Sequence, residues 1–256
     1  MLKAMTNLVE KVTVEEKEQE VVISVSQIYA PITVDWKIIV KAEYHIQADG
    51  LITMSYHGVP TGVQLPESFP RIGMRFVLDK ACEQAVWYGR GPLETYPDCK
   101  EGNAIGCWEK NVEDFYFPYV LPQETGNHED TRWAAFVTEA GNGICIASDK
   151  EFSFGALHYT QENLTQATHT NELHRTENIQ LSVDYAQHGL GSASWGAECL
   201  EKDKLYPEPF TFTWKISEPG RNRWQSGPSN TEEKRCGYRS FDGTGGWCRY
   251  RTVPFI

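Results

Sequence analysis

Residues 187–196 read Gln-His-Gly-Leu-Gly-Ser-Ala-Ser-Trp-Gly. Glycines at 189, 191 and 196 allow positive φ or close backbone approach. Trp195 thus sits on a loop of small neighbours, with Ser194 beside it and His188 at the loop's start. An indole displayed this way suits stacking on the apolar face of a sugar ring, because it brings area, rigidity and one polar handle. The competing reading is a core Trp of a β-domain, the usual fate of that residue. His128 and His188 can each hydrogen-bond a ligand hydroxyl or satisfy a loop carbonyl. His169 and His174 are five apart, a spacing that does not share a helix face, and no third ligand accompanies them. They are read as surface histidines, and no metal site is expected.

These residues must be held by strands. Strand-like runs recur at 21–29, 36–46, 51–56, 73–78, 84–89, 133–138, 144–147, 152–159, 179–185 and 210–216. Asp49-Gly50 between two of them predicts a two-residue hairpin with φ > 0 at both positions. Residues 161–169 are the single candidate helix. Strand signals every 8–15 residues with almost no helical periodicity predict a large antiparallel, all-β sandwich. Residues 89–132 form the longest aperiodic region, rich in Gly, Pro and aromatics, and such a loop is usually functional or an interface. Residues 1–19 are polar and acidic and read as a solvated edge or hairpin tip.

The chain has 256 residues, 40% hydrophobic and 12% aromatic, enough for a sizeable core. Its net charge of −11 argues against nucleic acid or an anionic membrane as partner. No apolar run nears the roughly 20 residues that span a bilayer. No signal peptide is visible, so a cytoplasmic location is expected. Seven cysteines with no C-x-x-C pair predict reduced thiols and neither a disulfide framework nor a zinc ribbon. From Pro219 to the end the charge reverses to +4, against −15 for the remainder, and strand periodicity is lost. We therefore divide the chain into a domain over 1–218 and an irregular basic tail over 219–256.

A family resemblance adds to this reading. Trp87-Tyr88-Gly89-Arg90-Gly91-Pro92-Leu93-Glu94-Thr95-Tyr96-Pro97-Asp98 resembles the W-x-G-x-G-P-x-E-x-Y-x-D motif of β-galactosidases of glycoside hydrolase family two. Residues 119–133, with Pro122-Gln123-Glu124-Thr125-Gly126-Asn127 at their centre, resemble that family's Y-x-x-P-Q-E-N-G-N-x-x-D-x-R-W run. Phe152-Ser153-Phe154, Leu157-His158-Tyr159 and Ser194-Trp195-Gly196 continue the match in the family's order. The likeness covers roughly residues 20–217 and is to the C-terminal domain, which some bacteria make as a separate small chain.

The resemblance implies a galactose-mutarotase-like supersandwich and a non-catalytic role in lactose and β-galactoside hydrolysis. It implies a large chain or catalytic domain as partner. A TIM barrel there carries both catalytic Glu residues and the Mg and Na sites, so neither cofactor nor catalytic residue is expected on this chain. Trp195, Ser194, His188, His128 and Glu124 are the substrate-binding candidates, and Trp195 is raised above its structural reading. The family's upstream R-A-P-x-D-N-D segment has no counterpart in residues 1–20, which predicts an N-terminally incomplete domain. Thr125 stands where the family usually has Asn, and Ser192-Ala193 where it has Gly-Asp.

Retaining glycosidases need two carboxylates about 5–5.5 Å apart. Nothing in the sequence pairs Glu94, Glu124, Glu129 or Asp130 in that way. Glu124 and Asp130 are expected to hold loop backbone, with Arg132 as ion-pair partner. Two alternatives use the same fold. One is a free-standing aldose 1-epimerase, with His128 and Glu124 or His188 as acid and base. The other is a carbohydrate-binding or structural module.

Overall fold

The computed structural model describes residues 5–191 and 198–219, and the backbone of 250–255. Its strands are β1 (Met5–Glu16), β2 (Glu20–Pro31), β3 (Trp36–Gln47), β4 (Ile52–Gly62), β5 (Arg71–Leu78), β6 (Gln84–Gly91), β7 (Ala104–Asn111), β8 (Asn127–Val137), β9 (Gly143–Leu157), β10 (Ile179–Gln187), β11 (Phe210–Ser217) and β12 (Tyr250–Phe255). The α-helix among the described residues, α1 (Gln161–Gln166), is capped by the Thr160 side chain, which accepts from Asn163 N–H. The strand pairings among the described residues are antiparallel, as the spacing of strand signals predicts.

Hydrogen bonding runs in the order β1-β2-β3-β4-β11-β9-β10-β5-β12, and β6 joins β7 and β8 as a branch held to β9 through β8. β3 alternates cleanly over its first eight residues: Trp36, Ile38, Val40 and Ala42 point inward while Lys37, Ile39, Lys41 and Glu43 point out. β5 and β10 are covered on both faces. The core gathers Trp87, Trp214, Phe69, Phe76, Phe136 and Phe154, all fully buried.

β9 is the strand that fixes the site. Two runs with a break between them read from the sequence, but the structure joins them into one strand of 15 residues. Its first third pairs with β8 and β11, its last third with β8 and β10. The start of β8 and the end of β10, with the loop that leads into the first and the loop that leaves the second, are thereby brought together.

Several expectations are corrected. The Asp49-Gly50 hairpin has positive φ only at Gly50, with Gly50 N–H donating to Gln47 O and Gln47 N–H to Leu51 O. It is therefore a three-residue loop with a left-handed glycine, not a two-residue turn. Residues 104–111, inside the region read as aperiodic, pair with β6, whereas residues 5–16 are the exposed edge strand of a hairpin with β2, as read. Residues 250–255 of the expected irregular tail form a strand on β5. Cys82 and Cys107 each take part in a disulfide, whereas Cys99, Cys145 and Cys199 are free. Cysteine parity and spacing carry no information about thiols that the fold brings together from distant segments.

Candidate functional site

Three loops converge beyond the start of β8 and the end of β10. The first, residues 91–103, follows β6 through a cis Gly91–Pro92 peptide. The second, residues 116–126, leads into β8. The third, residues 188–191, leaves β10 toward Ser194 and Trp195, which lie outside the described residues.

Asp98 joins the first loop to the third. Its Oδ1 accepts from Leu190 N–H at 3.0 Å and its Oδ2 from Gly191 N–H at 2.7 Å. A Cβ on residue 189 would lie 2.9 Å from the Asp98 carboxyl carbon, so only glycine admits this approach. The loop is also tied by His188 N–H to Pro70 O and Gly189 N–H to Asp203 O. Asp98→Ala is expected to speed amide hydrogen exchange at Leu190 and Gly191 by about tenfold or more, since each loses a charged acceptor. Global melting should move far less.

Glu94 joins the first loop to the second. It accepts from Thr125 Oγ1 at 2.9 Å, Gly126 N–H at 2.7 Å and the Tyr119 hydroxyl. Thr125, where the family usually has Asn, in turn accepts from Phe117 N–H at 3.1 Å.

A buried polar network underlies all three. Arg71 of β5 pairs with Glu124 at 3.0 Å and with Asp184 of β10 at 3.7 Å. The Gln187 amide nitrogen lies within hydrogen-bond distance of Asp184 Oδ2 (2.8 Å), Asn127 Oδ1 (2.7 Å) and Ser153 Oγ (3.2 Å). Asn127 Nδ2 donates to Thr95 O and to Glu129 Oε1, and Glu129 N–H donates to Thr95 Oγ1. Beside the network opens a small cleft lined by Arg71, Glu124, Arg75 and Glu162 among others.

Burial sets the electrostatics here. Desolvation pushes the Glu129 carboxyl up to about 7, against the Asn127 hydrogen bond and the charge of Lys100. Desolvation likewise raises Asp184 to about 6, with Arg71 opposing it. Burial works against ionised Asp130 too, but its ion pairs with Arg90 (2.5 Å) and Lys100 (2.7 Å) outweigh it and hold the carboxyl below its ordinary range. An acid whose folded pKa is raised contributes stability below its unfolded value, and that contribution is lost as pH rises through the folded one. For Glu129 the window runs from about 4.5 to about 7. Chemical denaturation across that range should therefore show Glu129→Gln gaining on the wild type as pH rises. A difference independent of pH would refute the assignment.

The sequence candidates fare unequally. Glu124 sits in the network, paired with Arg71 and not with Arg132. Arg132 instead pairs with Glu151 and donates to the Asp130 carbonyl. Asp130 takes Arg90 and Lys100 because its backbone has φ of 51°, a left-handed conformation at the bulge of β8. His128 is fully buried, its ring among Trp87, Phe115 and Phe154 at 4.6–5.3 Å between centroids. Its Nδ1 faces the Gly126 carbonyl at 3.1 Å, and burial lowers it to about 3, so it is a neutral core imidazole closed to any ligand. His188 is half-buried, with Nδ1–H donating to Gly189 O at 2.7 Å and Cys199 Sγ lying 3.5 Å from the same nitrogen.

Asp184, Gln187, Arg71 and Asp98 were not singled out. The available signal was Asp184 itself, an acid in the middle of an apolar strand, which needs a buried partner. Glu83, Glu113 and His158 also cluster, all donor atoms within 4.8 Å. There Glu83 faces His158 Nε2 at 2.9 Å and accepts from Glu113 N–H, while Glu113 pairs with Arg175. The chain's own groups thus engage each of them.

The family model described as the beta galactosidase small chain matches residues 2–216. The chain belongs to that family. Relatives of this small-chain domain include the β-galactosidase of Staphylococcus xylosus, 32% identical over 68% of the chain and 17% of that protein. The β-galactosidase of Priestia megaterium is 32% identical over 81% of the chain and 20% of its own length. That of Kluyveromyces lactis is 35% identical over 61% and 15%. The small-chain domain thus spans a fifth or less of these relatives. A galactose mutarotase related enzyme from Lactobacillus acidophilus aligns over 82% of the chain and 71% of its own, at 6% identity and a TM-score of 0.27, too weak a likeness to carry an argument. No helix among the described residues is long and apolar enough to cross a membrane.

Proposed function

We propose that this domain is the non-catalytic small chain of a β-galactosidase of glycoside hydrolase family two, and that its 187–196 loop completes the galactoside site of a large catalytic chain. The observation that carries this reading is the grip of Asp98 on Leu190 and Gly191. A carboxylate held on two backbone N–H groups fixes the root of the loop that bears Ser194 and Trp195, and places that root beside the motif loops. Preorganising a binding loop from outside the reacting centre raises affinity by lowering the ordering cost on binding.

Trp195 is the sugar-stacking residue, with Ser194 and His188 beside it, in lactose and other β-galactosides. Glu124 acts from behind through Arg71. The catalytic acid and nucleophile, and the Mg and Na ions, belong to the large chain. Glu94, Glu124 and Asp130 each serve backbone or cationic partners within this chain. The buried, neutral state of His128 disfavours the aldose 1-epimerase reading, which needs an acid and base facing solvent.

The test is to purify the chain and assay nitrophenyl galactoside hydrolysis alone and after mixing with a relative's catalytic chain deleted of its matching segment. Activity is expected only in the mixture. Turnover by the chain alone, abolished by changing one of its own Glu residues, would overturn the proposal.

A further inference from the structure

The sheet's core face does not end where its cover ends. Register carries one cross-strand row from Trp214 to Met54, Tyr44, Ile23 and Val14. Trp214 is 1% exposed and Met54 3%, yet Val14 at the row's end is 61% exposed. A parallel row starts at Phe212 and ends at Val12, 55% exposed. A one-residue register shift between Val9 and Lys11 returns Val9, 50% exposed, to the same side as Val12 and Val14. Without it, strict alternation would turn Val12 and Val14 to the opposite face. β1 ends the strand order, so among the described residues no strand pairs its outer edge.

An edge of twelve residues carrying an apolar extension of the core is a liability unless something covers it. We infer that the Val9, Val12 and Val14 face of β1 docks the large chain of the β-galactosidase. This rests on the small-chain reading above. Two observations favour that occupant. The relatives carry this domain as 15–20% of a longer protein, so a large body of protein accompanies it. A second copy is disfavoured by charge: β1 holds Glu10, Glu15 and Glu16 against Lys11, in a chain of net charge −11, so edge-to-edge pairing would set like charges together.

The experiment uses the full chain and, as probe, the Priestia megaterium β-galactosidase deleted of the segment that matches it. Val12→Lys and Val14→Lys place a charge on the face. Leu8→Lys places it on the opposite side of the same strand, where exposure is equally 61%. Affinity by titration calorimetry should fall at least about tenfold for the two valine variants, since an ammonium would be buried where a Val was, and much less for Leu8→Lys. Melting of the free chains should stay unchanged, because all three positions are exposed. Equal binding by all variants overturns this surface alone. A wild-type chain that does not bind the probe overturns the small-chain reading, and this surface with it. A free dimer that Val12→Lys makes monomeric while probe binding persists assigns the face to self-association and overturns the inference.

Discussion

Arg71→Met is expected to lower the melting temperature by about 10 °C. The guanidinium is the cationic partner of Asp184, which is fully buried, and of Glu124, which is three-quarters covered. Removing one partner of a buried ion pair leaves an uncompensated charge and costs about 3–5 kcal/mol. For a domain of this size each kcal/mol moves melting by roughly 2–4 °C. The sign with pH is fixed as well. Burial already raises the Asp184 carboxyl to about 6, and Arg71 opposes that rise. Without Arg71 the carboxyl titrates higher still, so the variant should lose least near pH 5 and most near pH 8. Adding Asp184→Asn should recover part of the loss at pH 8. Equal destabilisation at both values, with no recovery, would mean that Arg71 acts only through the packing of its stem.

Trp214→Ala and Trp195→Ala should separate folding from binding. Trp214 of β11 is buried, its ring centroid 4.5 Å from that of Phe212 and 6.5 Å from that of Tyr56. Truncating such a residue costs about 3–5 kcal/mol through lost burial and the cavity left behind. Trp195 follows the loop that Asp98 holds, among Gly, Ser and Ala neighbours. In enzyme reconstituted with a catalytic chain, Trp195→Ala should raise the Michaelis constant several-fold or more, since aromatic stacking contributes ~1 kcal/mol beyond area burial. Its melting temperature should change little. Early melting equal to that of Trp214→Ala, with the Michaelis constant kept, would make Trp195 a core residue.

The strands with strong β-branched alternation were legible, and so were their antiparallel character and the loops that converge. β7 was not: Ala-Ile-Gly-Cys-Trp-Glu-Lys-Asn has the alternation of a half-exposed strand but sits among turn residues, and only β6 beside it makes it one. β1 carries three valines that its acidic residues mask. Asp130 and Arg132 are two apart on a strand and were matched as neighbours. A bulge and a left-handed φ turned the Asp130 carboxylate to Arg90 and Lys100 instead.

From the sequence alone came the all-β class, the family motifs and the glycine-rich loops, because side-chain periodicity and glycine placement are local properties of the chain. The tertiary structure decided which charges meet which. Asp184 is an acid in an apolar run until β5 brings Arg71 against it and the absence of a side chain on Gly73 makes room for its carboxylate. His128 is a loop histidine in a sugar-enzyme motif until Trp87, Phe115 and Phe154 close around it and desolvation holds it neutral. Partner choice and protonation depend on distances and burial between residues far apart in the chain, and register, bulges and strand order set those distances.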